Sequence, residues 1–188
     1  MVENRTEGSV PLVILFENRN GRIGYRVAGA LDGTLTIDAP PLDGSLARLR
    51  QDLTAALIAQ GLFPKEAQAM VETWRDSWFE EGSRLIYIVP SEAVDAILPL
   101  QVTPAPSQVV RVFVGRMELV TAETKRSVES AVAKGDWQAV DRYGRFLDPI
   151  LQRMYPGNPD RVSRIEQRVQ KLGGNGSGCG APGFSRVP

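Results

Sequence analysis

Apolar and polar positions alternate with two different periods along this chain, and the change of period divides it. Leu12-Val13-Ile14-Leu15-Phe16 is apolar on both faces and rich in β-formers, which predicts a buried strand. Asn20-Gly21 then signals a tight hairpin turn, because both central positions of such a turn take positive φ. The return strand alternates, with Ile23, Tyr25 and Val27 on one side and Arg22, Gly24 and Arg26 on the other. Asp32-Gly33 predicts a second turn and Thr34–Asp38 a third strand, stopped by Pro40-Pro41. The opening therefore reads as a three-stranded antiparallel meander behind a flexible lead at residues 1–10.

Helical periodicity follows. Ser45 caps a helix with Leu46, Leu49, Leu53, Ala56 and Leu57 on one stripe, ended by Gly61. Pro64 opens a second helix with Ala67, Met70, Val71, Trp74 and Trp78 inward, ended by Gly82. Arg84–Val89 predicts a central strand and Ser91 caps a short helix. Pro99, Pro104 and Pro106 make the next stretch irregular. Val109–Leu119 is the longest strand predicted, with Val110, Val112 and Val114 on one face. From Thr121 the period is helical to the end. Thr121 and Asp136 are caps. Trp137, Val140, Gly144, Leu147, Leu151 and Met154 form one stripe, in which Pro149 predicts a kink or an early stop. Val162, Ile165, Val169 and Leu172 mark a last amphipathic helix. The fold class expected is α+β: a mainly antiparallel body at 11–120, a helical segment at 121–172 packed on it, and a disordered Gly-rich tail at 173–188.

Composition narrows the chemistry. The 188 residues include no histidine and one cysteine, so His-based triads, His zinc sites and intrachain disulfides are excluded on this chain. Cys179 has neither a base nor a helix start beside it in sequence, so it reads as an inert thiol. The first residues lack the basic and apolar regions of an export signal, and no apolar run is long enough to span a bilayer. As written, the chain is expected in the cytoplasm; the alternative is a fragment of an extracytoplasmic protein.

The segment Thr73–Gly82 leading into Arg84–Val89, followed by Ile97-Leu98-Pro99-Leu100, Thr103-Pro104-Ala105-Pro106 and Arg111–Arg116, resembles uncharacterised bacterial proteins over about residues 54–120. Members of that group tend to be longer and to carry an export signal, so the resemblance implies extracytoplasmic placement. It implies no activity.

Three clusters carry candidate chemistry. Glu72, Asp76 and Glu80 are spaced by four on one predicted helix face, and with Glu81 they make Asp76, Glu80 and Glu81 candidate metal ligands for carboxylate-based hydrolysis. A plain amphipathic helix with solvated carboxylates accounts for the same pattern. Trp74 and Trp78, also four apart, would form a sugar- or polymer-stacking platform if exposed and core if buried. Arg111 and Arg116, near Arg84 and Glu118 in sequence, either pair with helix carboxylates such as Glu80 or Glu81 or bind an anion.

The charge distribution adds the third cluster. The net charge of zero conceals a partition: residues 1–141 carry 14 Lys+Arg against 19 Asp+Glu, and residues 142–188 carry 8 against 3. On the last helix Arg161, Arg164, Arg168 and Lys171 share a face opposite the apolar stripe. A protein partner reached through these basic helices is the interaction expected. Nucleic acid is disfavoured, since no stacking aromatics accompany the cations. The Gly174–Gly178 run lacks the strand and helix that a phosphate loop needs. Asn4-Arg5-Thr6 and Asn175-Gly176-Ser177 match the glycosylation pattern by chance in a chain without an export signal. No cofactor is expected. The function that fits is a non-enzymatic interaction or scaffold module.

Overall fold

A computed structural model describes residues 1–6, 8–144 and 147–173. The chain divides into two compact units, Met1–Thr124 and the remainder from Lys125. The fold is α+β.

In the first unit, β2 (Val10–Arg19) and β3 (Arg22–Leu31) form the predicted hairpin. Asn20 and Gly21 turn it at φ 54° and 77°, as its two-residue loop requires. The sheet order is β3-β2-β5-β6, all antiparallel, with β5 spanning Gly82–Ile88 and β6 Val114–Leu119. The continuous apolar run of β2 has its reason here. Leu12, Ile14 and Phe16 pack under α1 (Leu46–Ala59) and α2 (Pro64–Trp78), against Leu49, Leu53, Leu57, Ala67 and Val71. Val13 and Leu15 face the other way, into a smaller cluster with Leu31, Leu85 and partly buried Val2, Leu35 and Ile37. The predicted caps hold α1 in place: Ser45 accepts from the Arg48 N–H at 3.3 Å, and Gly61 takes φ 100° beyond the helix end.

Several expectations are corrected. Residues 1–10 are not a loose lead throughout: β1 (Val2–Glu3) pairs with β4 (Thr34–Leu35) in a separate two-stranded sheet. Asn4 secures this arrangement, its Nδ2 donating to the carbonyls of Gly8 at 2.6 Å and Leu31 at 3.0 Å. The third strand of the meander is only two residues long and lies beside β1 rather than β3. The chain instead folds back through Pro40-Pro41 and crosses the edge of β3. Gly24 permits the crossing, because a Cβ there would sit 2.2 Å from the Pro41 carbonyl oxygen. α2 ends at Trp78, not at Gly82, which opens β5 at φ 111°. Ser91 is the first residue of α3 (Ser91–Ile97) rather than its cap, which is Pro90. β6 starts at Val114, not Val109. Its partner β5 ends at Ile88, just before Pro90, so the ladder has nowhere to continue.

α4 (Ala122–Lys134) starts in the last residues of the first unit and continues into the second; it is entered through the Thr121 hydroxyl, which accepts from the Thr124 N–H at 3.0 Å. The predicted single stripe from Trp137 to Met154 is divided between α5 (Trp137–Asp141) and α6 (Leu147–Met154). Gly144 at φ 55° makes the break. Pro149 neither kinks nor stops the helix: it lies in the first turn of α6, where an N–H would have no partner anyway. α7 (Pro159–Gly173) packs on α5 and α6, burying Val162 and Ile165 among Val140, Ile150, Leu151 and Met154. Gly173 closes α7, and the tail expected from there, with Cys179 and Asn175, lies outside the described residues.

Candidate functional site

Alternation along β5 and β6 turns Arg84, Arg116 and Glu118 to the helix-covered face of the sheet, where apolar residues would be the ordinary choice. Arg84 is fully buried. It lies opposite Phe16 on one side and Glu118 on the other, with its guanidinium 5.4 Å from the Phe16 ring centre. Nη1 donates to the carbonyls of Trp78 at 3.0 Å and Glu80 at 2.6 Å, and Nη2 donates to that of Glu81 at 2.6 Å. A single side chain thus satisfies the carbonyls left at and just beyond the end of α2, where the helix dipole also favours a cation. Nε lies 3.1 Å from Glu118 Oε1. That same oxygen accepts from Arg116 Nε at 2.5 Å, and Arg116 Nη1 lies 3.4 Å from Glu80. Two arginines and two glutamates form one charge-balanced chain under the helices.

The environment shifts both arginines downward. Burial lowers Arg84 most, opposed by Glu118, Glu80 and Glu81. Burial and the neighbouring Arg84 charge bring Arg116 down to about 10, with Glu118 and Glu80 opposing. A second group lies on the opposite face. Buried Glu17 accepts from the Ser83 hydroxyl at 2.8 Å and pairs with Arg19, which also pairs with Glu123. Burial acts to lower the Arg19 pKa, but bonds to the two glutamates outweigh it and leave it raised. The predominant use of these charges is structural: they anchor the hairpin, the end of α2 and the start of β5 to one another.

The predicted candidates are placed as follows. Asp76 is solvent-exposed on α2 beside Arg75. Glu80 lies beyond the helix end and pairs with Arg116 at 3.4 Å, one of the two arrangements considered for the strand arginines. Glu81 accepts from the Asn20 backbone N–H at 2.8 Å. The three carboxylates therefore serve different contacts, and no group of three metal-capable residues occurs among the described residues. Trp78 is buried, in edge contact with Phe79, while Trp74 is 46% exposed, so the two rings form no shared platform. Arg111 pairs with Asp95 at 3.0 Å and lies 5.9 Å from the Phe113 ring centre.

Arg164 and Arg168 are exposed on α7, with Lys171 one turn further on. The three fall within an arc of about 60° at 100° per residue, along about 10 Å of helix. No carboxylate of the described residues pairs with any of them. Arg161, on the adjoining edge of this face, stacks over Tyr155 with its guanidinium 4.1 Å from the ring centre. Pro159 and Asn158 fix where the helix starts, Asn158 accepting from the Arg161 N–H at 3.2 Å.

Sequence reasoning missed Glu17 and Ser83, and met Arg84 and Glu118 only as neighbours of Arg116. The available signal was alternation: a charge continuing the inward register of an apolar strand must find a buried partner. Two open concavities lie among the described residues of the first unit. One, about 800 Å³, lies between the outer sides of α1 and α2 over Arg50, Thr54, Ile58 and Glu72. The other, about 640 Å³, is lined by Thr6, Ser9, Gln60, Ser91 and Glu92. No helix among the described residues is long and apolar enough to cross a membrane. No family model, curated protein or solved structure matches this chain.

Proposed function

We propose that the protein is a non-enzymatic interaction module that docks an acidic protein partner on the outer face of α7. The observation that carries this reading is the run of Arg164, Arg168 and Lys171, exposed on successive turns with no carboxylate paired to them. Like charges at such spacing repel, so the row is unfavourable in isolation and is relieved by an opposing acidic surface. The buried arginines have no such capacity left over, because their charges are already matched within the fold. The metal-assisted and sugar-binding readings draw less support, given scattered carboxylates and a buried Trp78. A cytoplasmic setting belongs to the same proposal, with a fragment of an exported bacterial protein as its alternative.

Fluorescence anisotropy with labelled poly-L-glutamate tests the docking face, with duplex DNA as comparator. The wild-type chain is expected to bind polyglutamate, more weakly as salt rises. The variant R164Q/R168Q/K171Q is expected to bind at least tenfold more weakly while keeping its helical circular dichroism. Equal binding by the variant, or tighter binding of DNA than of polyglutamate, overturns the proposal.

A further inference from the structure

Between Asp95 and Arg111 the chain carries no charge, yet residues 95–110 are exposed throughout. From Pro99 to Val112 no backbone N–H or C=O makes a hydrogen bond to the described residues. A stretch this long without secondary structure is unusual inside a compact unit. Its two ends are nevertheless fixed. The Arg111–Asp95 ion pair closes its base, and the Val89 N–H donates to the Phe113 carbonyl at 2.9 Å.

Residues 109–113 lead directly into β6. Val112 and Val114 pack against the main core, and Val110 lies over Gly61, where a Cβ would approach it to 3.2 Å. Val109 and Phe113 stay exposed, at 52% and 42%. Side chains therefore alternate as in a strand. The backbone polarity follows from the one bond it makes. Phe113 turns its carbonyl toward β5, so Val110, Val112 and Val114 turn their N–H and C=O groups away from it. Among the described residues these groups have no partner. Val109–Val114 thus has the composition and the side-chain alternation of a strand, with an open outer edge.

We propose that this edge pairs with the same segment of a second copy of the chain, antiparallel about a two-fold axis at Val112. Antiparallel pairing through the outward groups places Val112 opposite Val112 of the second copy, and Val110 opposite its Val114. Arg111, the one charge in the segment, then faces Phe113 of the second copy rather than its own counterpart. That is the guanidinium–ring contact Arg111 already makes within its own chain. The segment is self-complementary in hydrogen bonding, shape and charge, and a closed two-fold interface uses it up.

Sedimentation velocity of the full chain across the micromolar to submillimolar range tests this, with hydrogen exchange read at Val110, Val112 and Val114. A dimer is expected, with those amides protected as it forms. Phe113→Arg sets like charges opposite one another and is expected to weaken the dimer at least tenfold. Phe113→Glu sets a carboxylate opposite Arg111 and is expected to keep it. Phe113 is exposed in the single chain, and circular dichroism checks that each variant is folded. A wild-type chain that stays monomeric, a folded Phe113→Arg variant that dimerises like wild type, loss of the dimer in both variants, or a dimer with those amides unprotected overturns the proposal. So does a monomer that instead binds a foreign extended peptide along the same residues.

Discussion

Arg84 is a charge placed where the strand pattern calls for a hydrophobic residue, and it is tolerated because Nη1 and Nη2 donate to three carbonyls and its charge is paired with Glu118. The carbonyls of Trp78, Glu80 and Glu81 and the Glu118 carboxylate depend on it in turn. Arg84→Ala is expected to cost about 3–5 kcal/mol, since it leaves three carbonyls without their donor and takes one of two cationic partners from buried Glu118. Arg84→Lys, with one point of charge in place of a fork, is expected to recover only part of that loss. Urea unfolding followed by circular dichroism measures both. Gly115 answers to a different constraint. A Cβ there would sit 2.3 Å from Cζ of Tyr87, whose ring lies across the glycine. Gly115→Ala is expected to destabilise by about 1–3 kcal/mol through overpacking. Tyr87→Ala should relieve most of that in the double variant, so a double-mutant cycle on unfolding free energies checks it. At this scale the sequence showed which residues were charged or small, but not which opposing atoms required them.

At the scale of elements, period and punctuation were legible where a local signal was strong. The Asn20-Gly21 hairpin, the Ser45 cap, the Thr121 cap and the α7 stripe all rest on interactions within a few residues. The failures arose where an element's limit depended on a distant partner. Val109–Phe113 has the composition of a strand and lacks a ladder because β5 runs out at Pro90. Trp74 shares the α2 stripe with buried Trp78, yet nearly half its surface meets water, because no neighbouring element among the described residues covers it. Helix–helix contact also brings Asp148 of α6 to Glu166 of α7, 18 residues apart. Burial first, and then the Asp148 carboxylate, raises the Glu166 pKa above its usual value. A folded-state pKa that is raised means the associated stability is fully present at acidic pH and lost as pH rises through that value. Glu166→Gln is therefore expected to raise the thermal midpoint at neutral pH and to have little effect at acidic pH, where the Glu166 carboxyl is itself neutral. Thermal scans of wild type and variant at the two pH values decide it.

Over the whole molecule, the charge partition outlives the change of boundary. Up to Thr124 there are 11 Lys+Arg against 16 Asp+Glu, and from Lys125 there are 11 against 6. A neutral chain is thus an acidic α+β unit joined to a basic helical one. Binding that depends on the α7 face should therefore weaken with ionic strength although the net charge is zero, and the variant R164Q/R168Q/K171Q should show a flatter salt dependence in the same anisotropy titration. The sequence by itself determined the α+β class, the order of most elements, the caps at Ser45, Thr121 and Asp136 and the split in charge. These follow from periodicity and from neighbours within one or two turns, which the chain order states directly. Only the tertiary structure decided that β1 pairs with β4, that Arg84 closes the end of α2, and that Trp74 and Trp78 part company. It also decided that the 109–113 run is left with an open edge. Each of these depends on which groups meet across a fold, and hydrogen-bond satisfaction and burial are properties of such meetings rather than of any residue alone.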